Sequence, residues 1–243
     1  MTFNETFIRA TAAAYLDELR SAKVAIFRHA DACRAKGLTG ENSTSHEDAL
    51  LLYLLVRHFK RRFVLDVGTN IGITAMTLHI AATKNGGSCV TCDPTDYSCL
   101  PTDGPRFIHA PSADALAQLQ AEGHTIDFAF FDWVPDQRTL DLMSDVFKSD
   151  AILAVHDYAI NAKGEAIVNA IDSGYSAAYR GEWIVPGIHP TEVDGVAINI
   201  CTAYWLPFSL RLRGNQIERL VRRARRFGSV CYRRRRILPL PSK

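Results

Sequence analysis

Residues 62–82 have the sequence Arg-Phe-Val-Leu-Asp-Val-Gly-Thr-Asn-Ile-Gly-Ile-Thr-Ala-Met-Thr-Leu-His-Ile-Ala-Ala. The part from Phe63 to Val67 is a short apolar run of the kind that forms a buried strand. Gly68 and Gly72 then mark a tight turn, after which apolar residues recur at helical spacing. The segment therefore predicts a strand, a glycine turn and a helix. Such a unit brings backbone N–H groups and a helix N-terminus close to a bound nucleotide-like ligand.

A carboxylate, Asp66, stands where a dinucleotide-binding fingerprint has its first glycine. A pyrophosphate would be repelled there, whereas the ammonium group of a cationic cofactor would be stabilised by charge-assisted hydrogen bonds. The pattern Asp-x-Gly-x-x-x-Gly resembles the first motif of class I S-adenosylmethionine (SAM) dependent methyltransferases, whose strand-end acid lies near the methionyl part of SAM. The resemblance implies that SAM is bound by Asp66, Gly68, Thr69, Asn70 and Gly72. An ordinary α/β turn with a capping aspartate is the alternative.

A second predicted strand, Gly87 to Asp93, ends on another acid. Asp93 lies roughly 20 residues past the glycine turn, the spacing at which an acid on the second strand reaches ribose hydroxyls. It also matches the methyltransferase pattern, in which this acid binds both ribose hydroxyls. Together, Asp66 and Asp93 indicate SAM much more specifically than either does alone.

The resemblance also implies where the adenine and the cofactor lid lie. After a third predicted strand, Arg106 to Ala110, it places three residues beside the adenine: Ser112, Ala113 and Asp114. In catechol-type and sugar-type O-methyltransferases, a helix just before the first strand closes over the cofactor. Ser45, at the start of such a predicted helix, would then lie near SAM. Helix capping by Ser112 or Ser45, and a favourable contact of Asp114 with the helix dipole, are the alternatives.

Two further predicted strands end in polar residues. The strand from Ile126 to Phe131 is followed by Asp132, and the strand from Asp150 to Val155 is followed by His156 and Asp157. Ligands of open α/β sheets bind beyond the carboxyl ends of the strands. Polar residues placed directly after successive apolar strands therefore predict one site.

The pattern predicts an α/β fold with seven strands, and the resemblance to methyltransferases implies a Rossmann-like, doubly wound sheet in the order 3-2-1-4-5-7-6, with the last strand antiparallel. The two last strands are expected at 175–183 and 196–204, joined by a loop, after a helix at 164–171. We expect an N-terminal helical cap over residues 1–45, a methyltransferase domain over residues 46–208, and an arginine-rich amphipathic tail over residues 209–243.

Transfer of a methyl group to a hydroxyl needs a base or a metal ion, because a hydroxyl is a poor nucleophile at neutral pH. His156 is the best candidate for a general base, oriented by Asp132 or Asp157. The alternative is a Mg²⁺ ion held by Asp132 and Asp157, as the resemblance to catechol-type enzymes implies; His156 stands where those enzymes often have a second oxygen ligand. The resemblance favours O-methylation of a small molecule or a sugar or glycan.

Charge is distributed unevenly along the chain. Residues 1–210 have 16 basic and 25 acidic residues, whereas residues 211–243 have 12 basic residues and one acid, a net of +11. A cationic amphipathic tail can dock on an acidic body, in the same or a neighbouring subunit, and it can bind an anionic membrane surface or nucleic acid. We expect a cytoplasmic protein, peripheral to the membrane if the tail binds there, whose six cysteines are free thiols.

Other classes of function stay open at this point. In an NAD-type oxidoreductase, a glycine is expected in place of Asp66. A catalytically silent scaffold with the SAM-binding fold, targeted by its basic tail, would bind SAM weakly or not at all. A nucleic-acid methyltransferase is disfavoured, because the residues 132–135, Asp-Trp-Val-Pro, only loosely resemble the Asn/Asp-Pro-Pro-aromatic motif of amino-methylating enzymes.

Overall fold

A computed structural model describes residues 5–40, 43–96, 99–156, 181–184, 191–198 and 203–207 of the chain. Three helices come first: α1 (Glu5–Ala14), α2 (Leu16–Ala35) and α3 (His46–His58). Ser45 is the N-cap of α3, since its hydroxyl accepts a hydrogen bond from the backbone N–H of Asp48 at 3.1 Å. The capping predicted for Ser45 is confirmed.

Nine strands and three further helices follow in the described residues. They are β1 (Phe63–Val67), α4 (Ile73–Lys84), β2 (Ser88–Asp93), β3 (Arg106–His109), α5 (Ser112–Ala121), β4 (Ile126–Phe131), α6 (Gln137–Val146), β5 (Phe147–Val155), β6 (Gly181–Ile184), β7 (Thr191–Val193), β8 (Val196–Ile198) and β9 (Ala203–Pro207). The apolar runs of β1, β4 and β5 suit strands that are covered by helices on both sides.

The main sheet, within the described residues, has the strand order β3-β2-β1-β4-β5-β9-β6. Strands β1 to β5 run parallel, and β9 is antiparallel to both of its neighbours. The predicted α/β class, with five parallel strands and an antiparallel pair, is confirmed. The carboxyl ends of β1, β2, β4 and β5 therefore meet along one edge.

Successive residues of each central strand point to opposite faces of the sheet, and each face has its own core. Val64, Phe128 and Phe130 pack with α1 to α4. On the other face, Leu65 and Phe131 pack with α5 and α6. Full burial of a phenylalanine side chain contributes about 1.5–3 kcal/mol, so these two layers fix the strands whose ends carry the polar residues.

The prediction of a single last strand over 196–204 is wrong. Residues 196–198 form β8, which pairs with β7 in a separate two-stranded hairpin, whereas β9 joins the main sheet. Asp194 and Gly195 make the hairpin turn, with φ angles of +47° and +80°. Asp-Gly is a strong signal for such two-residue turns, and it lies in the stretch that was expected to be a loop.

The prediction of free cysteines is wrong for two of them. Cys33 on α2 and Cys99, after β2, form a disulfide across a sequence separation of 66 residues. The packing of α2 against the segment after β2 brings them together, which no local pattern indicates. Cys89 and Cys92 are buried free thiols.

Several predicted segments lie outside the described residues: the helix at 164–171, residues 175–180 of the sixth predicted strand, and the basic tail at 209–243. In the part of the chain that the structure describes, no helix combines the length and the apolar character needed to cross a membrane.

Candidate active site

The glycine turn lies against the end of β4. Gly68 and Gly72 have φ angles of +97° and +85°, in the left-handed region that favours glycine. A Cβ atom on Gly68 would lie 3.3 Å from the backbone oxygen of Asp132, so a side chain there would crowd the neighbouring strand end. Glycine thus lets the turn approach the polar residues that follow β4.

Asp66 is fully buried at the end of β1. Its Oδ2 accepts a hydrogen bond from the Thr91 hydroxyl at 2.6 Å, whereas its Oδ1 has no hydrogen-bond partner among the described residues. Burial raises the pKa of this carboxyl to about 7; hydrogen bonds from the Thr91 and Thr74 hydroxyls lower the pKa, and the negative charges of Asp132 and Asp93 raise it. A nearby cation would stabilise the ionised form.

Thr69 and Thr91 hold Asp66 in place. The two threonine hydroxyl oxygens lie 2.6 Å apart. Because Thr91 donates its proton to Asp66, the proton of that second bond comes from Thr69. Thr69 is itself buried. Its hydroxyl therefore positions the carboxylate through Thr91.

Asp93 connects β2 to the glycine turn. Its Oδ2 accepts a hydrogen bond from the backbone N–H of Asn70 at 3.2 Å, and its Oδ1 accepts one from the N–H of Thr95 at 2.9 Å. Asn70 adopts a φ of +46°, which aims its N–H towards β2. The structure therefore brings together the two acids of the predicted SAM site through the turn between them.

Asp132 and His156 face each other across the ends of β4 and β5. The Nδ1 atom of His156 lies 3.1 Å from Oδ1 of Asp132. Because a carboxylate only accepts hydrogen bonds, Nδ1 carries a proton in this contact. The hydroxyl of Thr44 donates to Oδ2 of Asp132 at 3.2 Å.

The first turn of α3 reaches the same histidine. Oδ2 of Asp48 lies 4.0 Å from Nε2 of His156 and accepts a hydrogen bond from the Ser45 hydroxyl at 2.7 Å. Asp48 is almost completely buried. The imidazole is thus placed between two carboxylates, a setting that stabilises the charged imidazolium.

The residues predicted to lie beside the adenine have other partners in the structure. The Ser112 hydroxyl lies 2.8 Å from that of Thr139, and the helix cap is Pro111, so the prediction that Ser112 caps α5 is wrong. The carboxylate of Asp114 pairs with Arg138 at 2.6 Å, on the surface. Ala113 is buried.

A magnesium site at Asp132 and Asp157 stays a prediction, because Asp157 lies outside the described residues. Among the residues that the structure describes, the ligand atoms that converge as a possible metal site are those of His29, Cys33 and Cys99, a group that does not include Asp132. Both oxygens of Asp132 already have partners, in Thr44 and His156.

Sequence reasoning missed three residues of this site: Thr44, Asp48 and Thr91. Thr91 precedes Asp93 by two positions on a strand, so both side chains lie on the same face, and this spacing is the signal that was available. Thr44 and Asp48 are separated from Asp132 and His156 by more than 80 residues of sequence. Their role in the site becomes visible only when α3 is packed on the sheet.

The parallel sheet, the glycine turn and the row of polar strand ends form a Rossmann-like α/β fold, similar to that of the SAM-dependent methyltransferases that the sequence resembles. No protein-family model and no curated protein sequence matches this chain. Solved structures do match its fold. A proposed O-methyltransferase from Klebsiella pneumoniae superposes with a TM-score of 0.55 at 14% identity, over 75% of this chain and 89% of its own.

The O-methyltransferase from Bacillus cereus, in complex with SAH, superposes with a TM-score of 0.50 at 16% identity, over 83% of this chain and 99% of its own. At these identities, the likeness shows the fold. The resemblance to O-methyltransferases that the sequence indicated is thereby confirmed at the level of the fold.

Proposed function

We propose that this chain is a SAM-dependent methyltransferase that methylates a hydroxyl group on a small molecule or a sugar or glycan, with His156 as the general base. The observation that carries the proposal is the Asp132–His156 pair, which lies at the ends of β4 and β5, beside the glycine turn. This places a polarised imidazole next to a turn suited to a nucleotide-like ligand.

The residues present fit SAM in charge and in space. The orphaned Oδ1 of Asp66 can accept a hydrogen bond from the ammonium group of SAM, and Asp93 offers two carboxylate oxygens to ribose hydroxyls. Gly68 and Gly72 let the backbone approach the ligand closely. We extend the SAM-binding set to Thr69, Asn70, Asp132, Ser45 and the three adenine-side residues Ser112, Ala113 and Asp114. SAM supplies a methyl group on a positively charged sulfur.

His156 would accept the proton of the acceptor hydroxyl. Asp132 holds Nδ1–H, so the lone pair of Nε2 is presented to a hydroxyl. As its proton moves to Nε2, the hydroxyl oxygen would take the methyl group of SAM, whose carbon–sulfur bond would break with its electron pair on sulfur and leave neutral S-adenosylhomocysteine. The resulting imidazolium lies between Asp132 and Asp48, whose negative charges stabilise it.

A magnesium-dependent reaction through Asp132 and Asp157 is the alternative mechanism. Mg²⁺ prefers oxygen ligands, and His156 binds the carboxylate that would serve as one of them. These contacts favour the histidine base. Activity that EDTA abolishes and that Mg²⁺ restores would instead support the metal.

Calorimetric titration with S-adenosylhomocysteine tests the cofactor. We expect micromolar binding by the wild type, with and without Mg²⁺, and a loss of about 1–3 kcal/mol in Asp93→Ala, because ribose hydroxyls and the Asn70 N–H lose a charged acceptor. Asp17→Ala, whose side chain is 99% exposed on α2, is the matched control and should bind normally. Absence of binding in the wild type would contradict the proposal and favour a silent scaffold.

The basic tail supplies the remaining proposals about partners. With a net charge of +11 over residues 211–243, it would mediate homo-oligomer contacts with an acidic body or bind an anionic membrane surface, and nucleic acid is a less favoured partner. We propose the division into residues 1–45, 46–208 and 209–243, and a cytoplasmic location, on the same sequence grounds. Sedimentation and vesicle binding of the full chain, compared with a chain ending at residue 208, test these partners.

A further inference from the structure

A disulfide joins α2 to the segment that follows β2, beside the proposed SAM site. Cys33 is fully buried on α2, and its partner Cys99 is partly exposed. Neither sulfur has a part in the proposed methyl transfer. The position of this bond relative to the glycine turn suggests what it does.

A residue near each of the two cysteines lies against the glycine turn. His29, one helical turn before Cys33, donates a hydrogen bond from Nε2 to the backbone oxygen of Ile71 at 2.7 Å. A Cβ on Gly72 would lie 3.2 Å from the same Nε2 and 2.6 Å from Cδ2 of Leu100, the neighbour of Cys99. The turn therefore lies between α2 and the segment that carries Cys99, and the S–S bond fixes the distance between these two elements.

The same segment begins at the acid proposed to bind ribose. Asp93 ends β2 and accepts a hydrogen bond from Asn70 in the turn. Cys99 lies a few residues further along the chain. Restraining Cys99 against α2 thus restrains the chain on both sides of the proposed ribose site, the turn on one side and the segment after β2 on the other.

We propose that Cys33 and Cys99 form a reversible thiol–disulfide site that sets the affinity of the glycine turn for SAM, an inference that rests on the proposed function. The reductant is a dithiol. One of its thiolates attacks a sulfur of the pair to form a mixed disulfide, and its second thiol then displaces the protein sulfur. The S–S bond is broken, Cys33 and Cys99 each end as a thiol, and the dithiol becomes a disulfide.

The disulfide form binds SAM more tightly, because the turn, α2 and the segment that carries Cys99 are already ordered. In the dithiol form, ligand binding must itself order the segment at Cys99, and this entropic cost weakens the affinity. The sulfur of Cys33 lies 3.6 Å from Nε2 of His29 and 3.5 Å from the backbone oxygen of Ile71, so its change from disulfide to thiol takes place in contact with the turn.

A second chemistry for the same cluster is metal binding by the reduced form. Ligand atoms of His29, Cys33 and Cys99 lie within 4.8 Å of one another, and imidazole with two thiolates suits Zn²⁺. The contacts favour the disulfide, because Nε2 of His29 is already engaged by the carbonyl of Ile71. Zinc binding is therefore an outcome that the test must exclude.

The experiment compares the full chain after oxidation by diamide and after reduction by a dithiol, using S-adenosylhomocysteine titration and amide hydrogen exchange of residues 68–72. We expect a Cys33–Cys99 linked peptide after non-reducing digestion of the oxidised form only. Reduction should weaken binding about tenfold, the effect of ordering roughly one residue's backbone. It should also speed exchange in the turn, a readout that needs no ligand.

Single and double variants identify the sulfurs responsible. After oxidation and after reduction alike, Cys99→Ser and Cys33→Ala should each have the S-adenosylhomocysteine affinity and the amide exchange of the reduced wild type. The double variant should bind no more weakly than either single variant. Cys201→Ser, the matched control, should keep the full response. Equal exchange in both redox forms, or one zinc ion bound by the reduced chain with protection restored, would overturn the inference. Redox-dependent exchange without any ligand binding would uphold the switch and refute only the proposed function.

Discussion

Two buried aspartates lie on adjacent parallel strands of the main sheet, one near the amino end of its strand and the other near the carboxyl end. Asp127, near the start of β4, accepts hydrogen bonds from the backbone N–H groups of Arg62 and Phe63 at 3.0 Å and lies 3.4 Å from the ammonium group of Lys148. Asp66, at the end of β1, has the hydroxyls of Thr91 and Thr74 beside it, and its Oδ1 has no hydrogen-bond partner among the described residues. The first acid is satisfied by its own protein, and the second is not.

We interpret Asp127 as a structural carboxylate and propose Asp66 as one that binds a ligand. A buried charge is tolerated when the fold supplies donors, as it does for Asp127. At Asp66, the fold leaves an acceptor that a ligand can satisfy, at the edge of the sheet where α/β proteins bind ligands. The four predictions that follow test this contrast.

The largest effect is expected from His156→Ala, which should lower kcat about 10²–10⁴-fold on any acceptor found by screening, because the general base is lost. Binding of S-adenosylhomocysteine should change little. His124→Ala is the matched control, since His124 stacks on Phe63 at the opposite edge of the sheet. An unchanged kcat in His156→Ala would contradict the proposed role of His156 as the general base.

Asp66→Asn should remove a dependence of stability on pH. The pKa of Asp66 is about 7 in the folded chain, against 3.8 for an unperturbed aspartate, so between these values the folded form binds more protons than the unfolded one. The free energy of unfolding should therefore fall as pH rises from about 4 to about 7, by on the order of 4 kcal/mol. Asparagine has no such proton to lose.

Urea unfolding of the wild type and Asp66→Asn across this pH range checks the prediction. The variant should be the more stable protein above pH 7 and should bind S-adenosylhomocysteine more weakly, because the ammonium group loses its counter-charge. Neighbouring acids Asp93 and Asp132, and the buried thiols Cys89 and Cys92, remain in both proteins. Identical pH profiles would show that Asp66 is ionised and satisfied like Asp127.

Asp127→Ala should give the reverse phenotype. It leaves the N–H groups of Arg62 and Phe63 without their acceptor, which should lower the free energy of unfolding by about 3 kcal/mol. Asp127→Asn, which keeps one acceptor oxygen, should lose less. The folded fraction should bind S-adenosylhomocysteine as tightly as the wild type does. A loss of binding without a loss of stability would contradict the purely structural role of Asp127.

The smallest effect is expected from Asp114→Ala. The pair with Arg138 is exposed, so its loss should change stability by about 0–1 kcal/mol. Arg138→Ala removes the same ion pair and serves as the control. A loss of S-adenosylhomocysteine affinity seen only in Asp114→Ala would support the adenine-side role that the resemblance implies, and equal affinities would oppose it.

The half of the site built by β1 and β2 was predictable because it is local. Asp66, Gly68, Gly72 and Asp93 fall within one strand–turn–helix–strand unit, whose spacing limits how they can be arranged. The other half depends on long-range packing. Asp132 and His156 were predictable as strand ends, but Thr44 and Asp48 reach them only through the docking of α3.

The same distinction explains the errors in the fold. Apart from the link between β2 and β3, which has no helix among the described residues, the parallel order of the first five strands follows from strand–helix units of ordinary length. The hairpin of β7 and β8 was missed because its two strands have three residues each, too few for a periodic pattern. The disulfide was missed because its cysteines belong to different units, and sequence spacing does not report such contacts.

That hairpin has a consequence for how the chain is made. Val196 and Ile198 belong to the same apolar cluster as α1, α2 and α3, and Arg9 of α1 donates a hydrogen bond to the backbone oxygen of Glu192. During synthesis, the N-terminal helices leave the ribosome long before these partners exist. The part of their apolar surface that packs on the hairpin stays uncovered until Ile198 has been translated, and exposed apolar surface of this kind makes a nascent chain prone to aggregation.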